Sequence, residues 1–177
     1  MTNFDKPCKK CGDIFTPYRT FDKFCYLCKK TEEALKNLDK IKKEKKKKQK
    51  EDLLTLQDYL KIAQATFNKY INLRDQGKDC ISCFKPIKGR VNASHYYNAN
   101  NHYSLRFDED NVHSSCITCN QFLSGNLINY RKGLLERIGE AKISRLDELS
   151  NVTRKFTKEE LKELIREYKE KIKNLGK

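Results

Sequence analysis

Residues 80–131 decide the fold: Cys80-Ile-Ser-Cys83, then Val91-Asn-Ala-Ser-His95, then Asn111-Val-His-Ser-Ser-Cys116-Ile-Thr-Cys119-Asn120, closing on Ser124-Gly-Asn-Leu127 and Tyr130-Arg131. Two C-x-x-C knuckles bracket a histidine-bearing stretch. Tetrahedral zinc, with Zn–S near ~2.3 Å, needs its ligands close together, and two thiolates two residues apart grip one cation from one turn. Cys80, Cys83, Cys116 and Cys119 therefore read as one closed four-cysteine zinc site. Between the knuckles, the stretch Val91–Tyr97 is expected to form a strand ending at His95, with Tyr103–Phe107 as its alternating hairpin partner. Asp108–Asn111 reads as a turn, and Asn120 as opening a helix toward Leu123.

Working outward, the other four cysteines repeat the pattern. Cys8, Cys11, Cys25 and Cys28 form two more knuckles separated by thirteen residues. A stretch of about 30 residues cannot bury enough surface to fold alone, so bound metal must supply the missing free energy. Two structural Zn²⁺ ions are expected, with a redox dithiol as the alternative for the first quartet. The opening, Met1-Thr-Asn-Phe-Asp-Lys, lacks an apolar core of the kind a secretion signal needs. The cysteines are thus expected in a reducing cytoplasm, where such pairs ligate metal rather than cross-link.

The chain has 177 residues and a formal charge of +14. An acidic polymer is the expected partner, with nucleic acid first. A membrane is disfavoured, since no apolar run approaches the roughly 18 residues of a spanning helix. Residues 1–50 hold 16 basic and 7 acidic side chains, and Lys40–Lys50 alone holds eight lysines against Glu44. The expected layout is a zinc finger over 1–30, a basic helix over 31–52 and an amphipathic packing or dimerisation helix over 53–77. The zinc-bearing module follows over 78–132, then C-terminal helices over 133–177. The basic helix reads equally as a solvated linker and as a phosphate-tracking arm. In the third segment Leu56, Tyr59, Leu60, Ala63, Phe67, Tyr70 and Ile71 recur at helical spacing, and Gly77 supplies the stop. Near the end, Thr157-x-x-Glu160 is a capping box opening a helix with Leu161, Leu164, Ile165, Tyr168 and Ile172 on its buried stripe.

The segment resembles the NinG (Rap) recombination proteins of lambdoid phages. The likeness is carried by Cys80-Ile-Ser-Cys83, Ser94-His95-Tyr96, Leu105-Arg106-Phe107, Asn111-Val-His113 and Cys116-Ile-Thr-Cys119-Asn120-Gln121 with Ser124–Leu127 and Tyr130-Arg131. A double C-x-x-C, a lysine-rich helix and a charged helical tail occur in the same order, so the likeness covers nearly the whole chain. A more distant resemblance is to the ββα-metal (HNH) endonucleases, phage endonuclease VII among them. The resemblance implies an α+β, mostly helical protein with a zinc-stabilised HNH-like module. It also implies metal-dependent cleavage of Holliday junctions and other branched DNA, leaving 5′-phosphates.

In that reading His95 activates water, Asn120 holds a catalytic Mg²⁺ or Mn²⁺, and Asn111 orients His95. Many ββα-metal nucleases place Asp before the histidine; here the residue is Ser94, a poor ligand for a hard cation. Asn92, His113, an acid of the Asp108–Asp110 turn, or waters would complete the shell. His113 is also a candidate for the zinc site, while His102 is expected at the surface. Lys85, Lys88, Arg90, Arg106 and Arg131 are candidate phosphate contacts. A homodimer is expected, through the 53–74 stripe, with phage or host recombination proteins as further partners. Two rivals stand beside this reading: a nicking HNH enzyme on duplex DNA, and a non-catalytic zinc-containing DNA-binding recombination factor.

Overall fold

The structure is a computed structural model and describes residues 5–176; Met1–Phe4 of the expected finger and Lys177 lie outside the described residues. The chain divides into two compact units that meet in sequence at Leu54 and Thr55.

In the first unit, strands β1 (Lys6–Pro7) and β2 (Ile14–Phe15) pair antiparallel around the first knuckle. Gly12, at φ +83°, lets the chain reverse there. Helix α1 (Tyr26–Asp52) starts inside the second knuckle, with Cys25 at its N-cap, five residues earlier than the sequence suggests. No α1 residue is buried, and Leu35, Leu38 and Ile41 are more than half exposed. The faint apolar stripe thus gains nothing from packing within this unit.

The second unit opens with helix α2 (Leu56–Arg74), capped reciprocally by Thr55 and Asp58. Its stripe is spent inside the chain. Phe67, Tyr70 and Ile71 form a core with Val112 and Tyr168, the last from helix α5 (Lys158–Leu175). The Phe67 and Tyr168 rings meet edge-on at 5.0 Å. Within the chain, α5 and the hairpin cover Phe67, Tyr70 and Ile71 of this stripe, while Leu56 at its start stays exposed. The α5 capping box forms as expected, and Leu161, Ile165 and Tyr168 are buried.

The hairpin pairs different strands from those expected. β3 (Val91–His95) runs antiparallel to β4 (Val112–Cys116), with His95 opposite Val112 and Val91 opposite Cys116. Tyr103–Leu105 is a single 3₁₀ turn. Leu105 is fully buried there, so the alternation around it marks one anchoring side chain rather than a strand. Helices α3 (Leu127–Ile138) and α4 (Glu140–Leu149) complete the unit. Tyr130, Leu134 and Ile143 enclose Ile81 of the third knuckle in a second core. Gly133 makes that contact possible: a β-carbon there would stand 2.1 Å from the Ile81 carbonyl oxygen. The protein is α+β and mostly helical, with two small sheets and two cysteine quartets. Among the described residues no helix is long and apolar enough to cross a membrane.

Candidate metal centres and nucleic-acid site

Each quartet gathers its four sulfurs within 4.8 Å of one another. Tetrahedral zinc at Zn–S near ~2.3 Å requires S···S edges of about 3.8 Å. Cys11 and Cys25 stand 3.7 Å apart, Cys83 and Cys116 3.9 Å. Backbone N–H groups turn toward the sulfurs: Cys25 N–H donates to Cys8 Sγ at 3.2 Å and Cys116 N–H to Cys80 Sγ at 3.3 Å. Burial disfavours a Cys80 thiolate, but N–H donors from Cys116, Cys83 and Ser82 outweigh it and bring the thiol to about 7. Burial pushes Cys119 up to about 12 while it is a thiol beside other thiols, a cost that a cation removes. Both quartets fit a closed structural zinc site.

The fourth knuckle leads into one wide π-helical turn, Thr118–Phe122, rather than directly into an α-helix. Asn120 sits in it. Across a cavity of about 400 Å³ stands His95, at the end of β3; Ser94, Asn98, Ser124 and Gly125 contribute further wall. The fold thus brings His95 and Asn120, 25 positions apart in sequence, to one hollow. The His95 ring is fixed from behind. Its Nε2 lies 3.0 Å from the Arg106 carbonyl oxygen, a pure acceptor, so Nε2 carries the proton and Nδ1 the lone pair. Burial lowers the His95 pKa, so the neutral ring dominates at pH 7.

The side-chain hydrogen bonds of Asn111 go to Tyr97 and Leu105 rather than to His95. The Asn111 amide ties the two ends of the loop before the histidine's anchor: Oδ1 accepts from Tyr97 N–H, and Nδ2 donates to the carbonyls of Tyr97 and Leu105. It is fully buried and sets the loop that presents the Arg106 carbonyl. The Arg106 side chain helps from outside, donating to Gln64 on α2.

His113 is placed elsewhere. It faces the ion cluster of Asp75 and Arg74, with Nδ1 3.2 Å from Arg74 Nη2 and Nε2 3.1 Å from the Asp110 carbonyl oxygen. Burial, then the Arg74 charge, lowers its pKa to about 4. It neither lines the cavity nor joins a quartet. Asp75 is buried too; burial alone would raise its pKa, but Arg74 and Lys78 hold it well below the carboxylate range.

The turn acids also face away from the cavity. Asp108 and Asp110 pair with Arg145, Asp110 also with Lys142, and Glu109 with Lys171. Asn92 is buried on β3 and does not line the cavity. Among the described residues no carboxylate does. This neutral donor set fits a hard divalent cation only together with an anionic substrate that supplies the charge. Of the expected phosphate contacts, Arg131 is taken by Asp147. Lys85, Lys88 and Arg90 have no carboxylate within 4.0 Å among the described residues. His102 is half-buried, its Nδ1 2.8 Å from the Ser150 carbonyl, rather than at the surface.

The family model described as Bacteriophage Lambda NinG protein matches residues 3–177. The chain belongs to the NinG family. Among its curated relatives, Protein ninG of Salmonella phage P22 is 40% identical over 117 residues, covering 66% of this chain and 57% of that protein. Protein ninG of Escherichia phage lambda is 38% identical over the same length, with the same coverage. For Protein ninG of Escherichia phage 933W the figures are 38% identity, 66% of this chain and 58% of the relative. The match thus spans little more than half the length of these relatives. No solved structure matches the chain.

Proposed function

We propose that this NinG-family chain is a metal-dependent endonuclease acting on branched DNA such as Holliday junctions. The observation that carries the reading is the His95–Arg106 contact: a ring made neutral by burial, oriented by a backbone carbonyl and lining a hollow opposite Asn120. In this reading Nδ1 of His95 takes a proton from the water that attacks phosphorus. The bond from phosphorus to the 3′ oxygen breaks, leaving a 5′-phosphate and a 3′-hydroxyl. Asn120 would hold a Mg²⁺ or Mn²⁺ ion, which when bound stabilises charge on the phosphoryl and leaving oxygens. The quartet at Cys80, Cys83, Cys116 and Cys119 keeps zinc beside the cavity and fixes Asn120, which follows Cys119 directly.

A second reading has one observation in its favour. The cavity has no carboxylate wall and Ser94 precedes His95, which suits a zinc-containing DNA-binding recombination factor without catalysis. A single experiment separates the two. Labelled four-way junction and matched linear duplex are incubated with the protein, with and without Mg²⁺, beside His95→Ala. Mg²⁺-dependent cutting of the junction, lost in the variant, supports the endonuclease. Equal cutting of both substrates points to a duplex-nicking enzyme, and tight binding without cutting in Mg²⁺ or Mn²⁺ supports the binding factor.

A further inference from the structure

The turn after the fourth knuckle is built in an expensive way. Ser124, Gly125 and Asn126 all lie at positive φ, at +48°, +88° and +50°. Two of them carry side chains that disfavour this conformation, at a cost that surrounding bonds must offset. Those bonds are present. Ser82 Oγ donates to the Gly125 carbonyl at 3.0 Å in the buried interior, and Gly125 N–H donates to the Cys119 carbonyl at 2.8 Å. The Asn126 amide reaches Cys119 Sγ at 3.8 Å. Bonds to Ser82 and Cys119 thus tie the turn to the second cysteine quartet.

The turn presents apolar side chains to solvent. Phe122 is 76% exposed, Leu123 52%, Leu127 48% and Ile128 80%. Four large apolar side chains within seven residues are not the scattered exposure of an ordinary surface. Ser124 and Gly125, which separate the two pairs, are themselves wall of the His95–Asn120 cavity. The exposed apolar pairs thus flank, in the chain, two residues of the cavity wall.

We propose that the turn Phe122–Ile128 is a wedge that enters an unstacked base step at the branch point of DNA bound across the cavity. The inference rests on the DNA-binding reading given above. Charge complementarity names the occupant: Lys85, Lys88 and Arg90 of the same module, and Lys132 on the next turn of α3, have no carboxylate within 4.0 Å among the described residues. A polyanion suits these unpaired cations, and apolar side chains inserted between bases suit a site where stacking is already broken. Four side chains also fall well short of the roughly 800 Å² that each partner of a stable protein interface buries. The device would make branched DNA a better ligand than continuous duplex, since unstacking costs least where it is partly done.

The test uses the full zinc-loaded chain, without added Mg²⁺, and a four-way junction carrying 2-aminopurine at the branch point. A linear duplex with the same label is the control. Binding should raise the branch-point fluorescence several-fold and leave the duplex signal unchanged. Phe122→Ser with Ile128→Ser should abolish the rise and weaken junction affinity about tenfold, with duplex affinity, zinc content and melting temperature retained. Phe122→Trp should keep the rise. An unchanged rise and unchanged junction affinity in the double variant would overturn the wedge. So would light scattering that shows a wild-type dimer becoming a monomer in the double variant, which would make the patch a subunit contact. Cutting in Mg²⁺ with no fluorescence rise defeats the wedge alone. A rise without cutting in Mg²⁺ or Mn²⁺ defeats the endonuclease alone.

Discussion

His95 and Arg106 meet side chain to main chain, with the ring Nε2 3.0 Å from the carbonyl oxygen. A carbonyl accepts only, so this one contact selects the tautomer and leaves Nδ1 as the base. His95→Ala should bind a four-way junction with wild-type affinity and cut it at least ~100-fold more slowly. Burial lowers the ring's pKa from its usual 6.5, so the acid limb of the cutting rate should have its midpoint below pH 6.5. A limb centred above that value would show that another group titrates.

Acid stability should depend on His113. Its pKa is about 4 in the fold against 6.5 for the free side chain, so the unfolded chain binds the extra proton first. Stability is then full above pH 6.5 and declines as pH falls toward 4, by about 3 kcal/mol in all. Asp75, with its pKa depressed, adds a loss at still lower pH. Zinc release also acts in acid, so the comparison is with His113→Asn at equal zinc content. The variant should melt lower at pH 7.5 and lose less on going to pH 5.5; equal slopes for the two proteins would reject the assignment.

Metal analysis should find two zinc ions per chain. Cys11→Ser should reduce this to one and leave the melting of residues 55–176 unchanged, because the first quartet lies in the other unit. Cys83→Ser should also leave one zinc but lower that melting transition sharply, since the second quartet ties the third knuckle to β4.

Gly133→Ala tests the α3 contact. Alanine favours an isolated helix by about 1 kcal/mol. Here its β-carbon would stand 2.1 Å from the Ile81 carbonyl and 2.9 Å from Ile81 Cδ1, so helix and knuckle must separate. A net destabilisation of about 2 kcal/mol or more is expected in urea unfolding. Gly139→Ala is strained for a different reason, φ +79° with open space around it, and should cost less.

The local chemistry of this protein was legible in the sequence. C-x-x-C spacing fixed both quartets, because zinc demands ligands at short range. Three- and four-residue apolar spacing fixed α2 and α5, because a helix face must be buried. The Thr157–Glu160 box fixed the start of α5, because a cap is satisfied within one turn. Long-range partners were not legible. Tyr103–Phe107 alternates like a strand, yet β3 pairs with Val112–Cys116, since register depends on which residues the core must take. The stripe on α2 does not say which element covers it; within the chain Phe67 packs on Tyr168 of α5. His113 and His95 look alike in the chain, but folding sends one to Asp75 and the other to the cavity. The sequence by itself determined which residues can hold metal and which form helices, because those demands are met within a few residues. Tertiary structure alone decided which histidine shares a cavity with Asn120, because that requires a strand end and a knuckle 25 positions apart to close on one hollow.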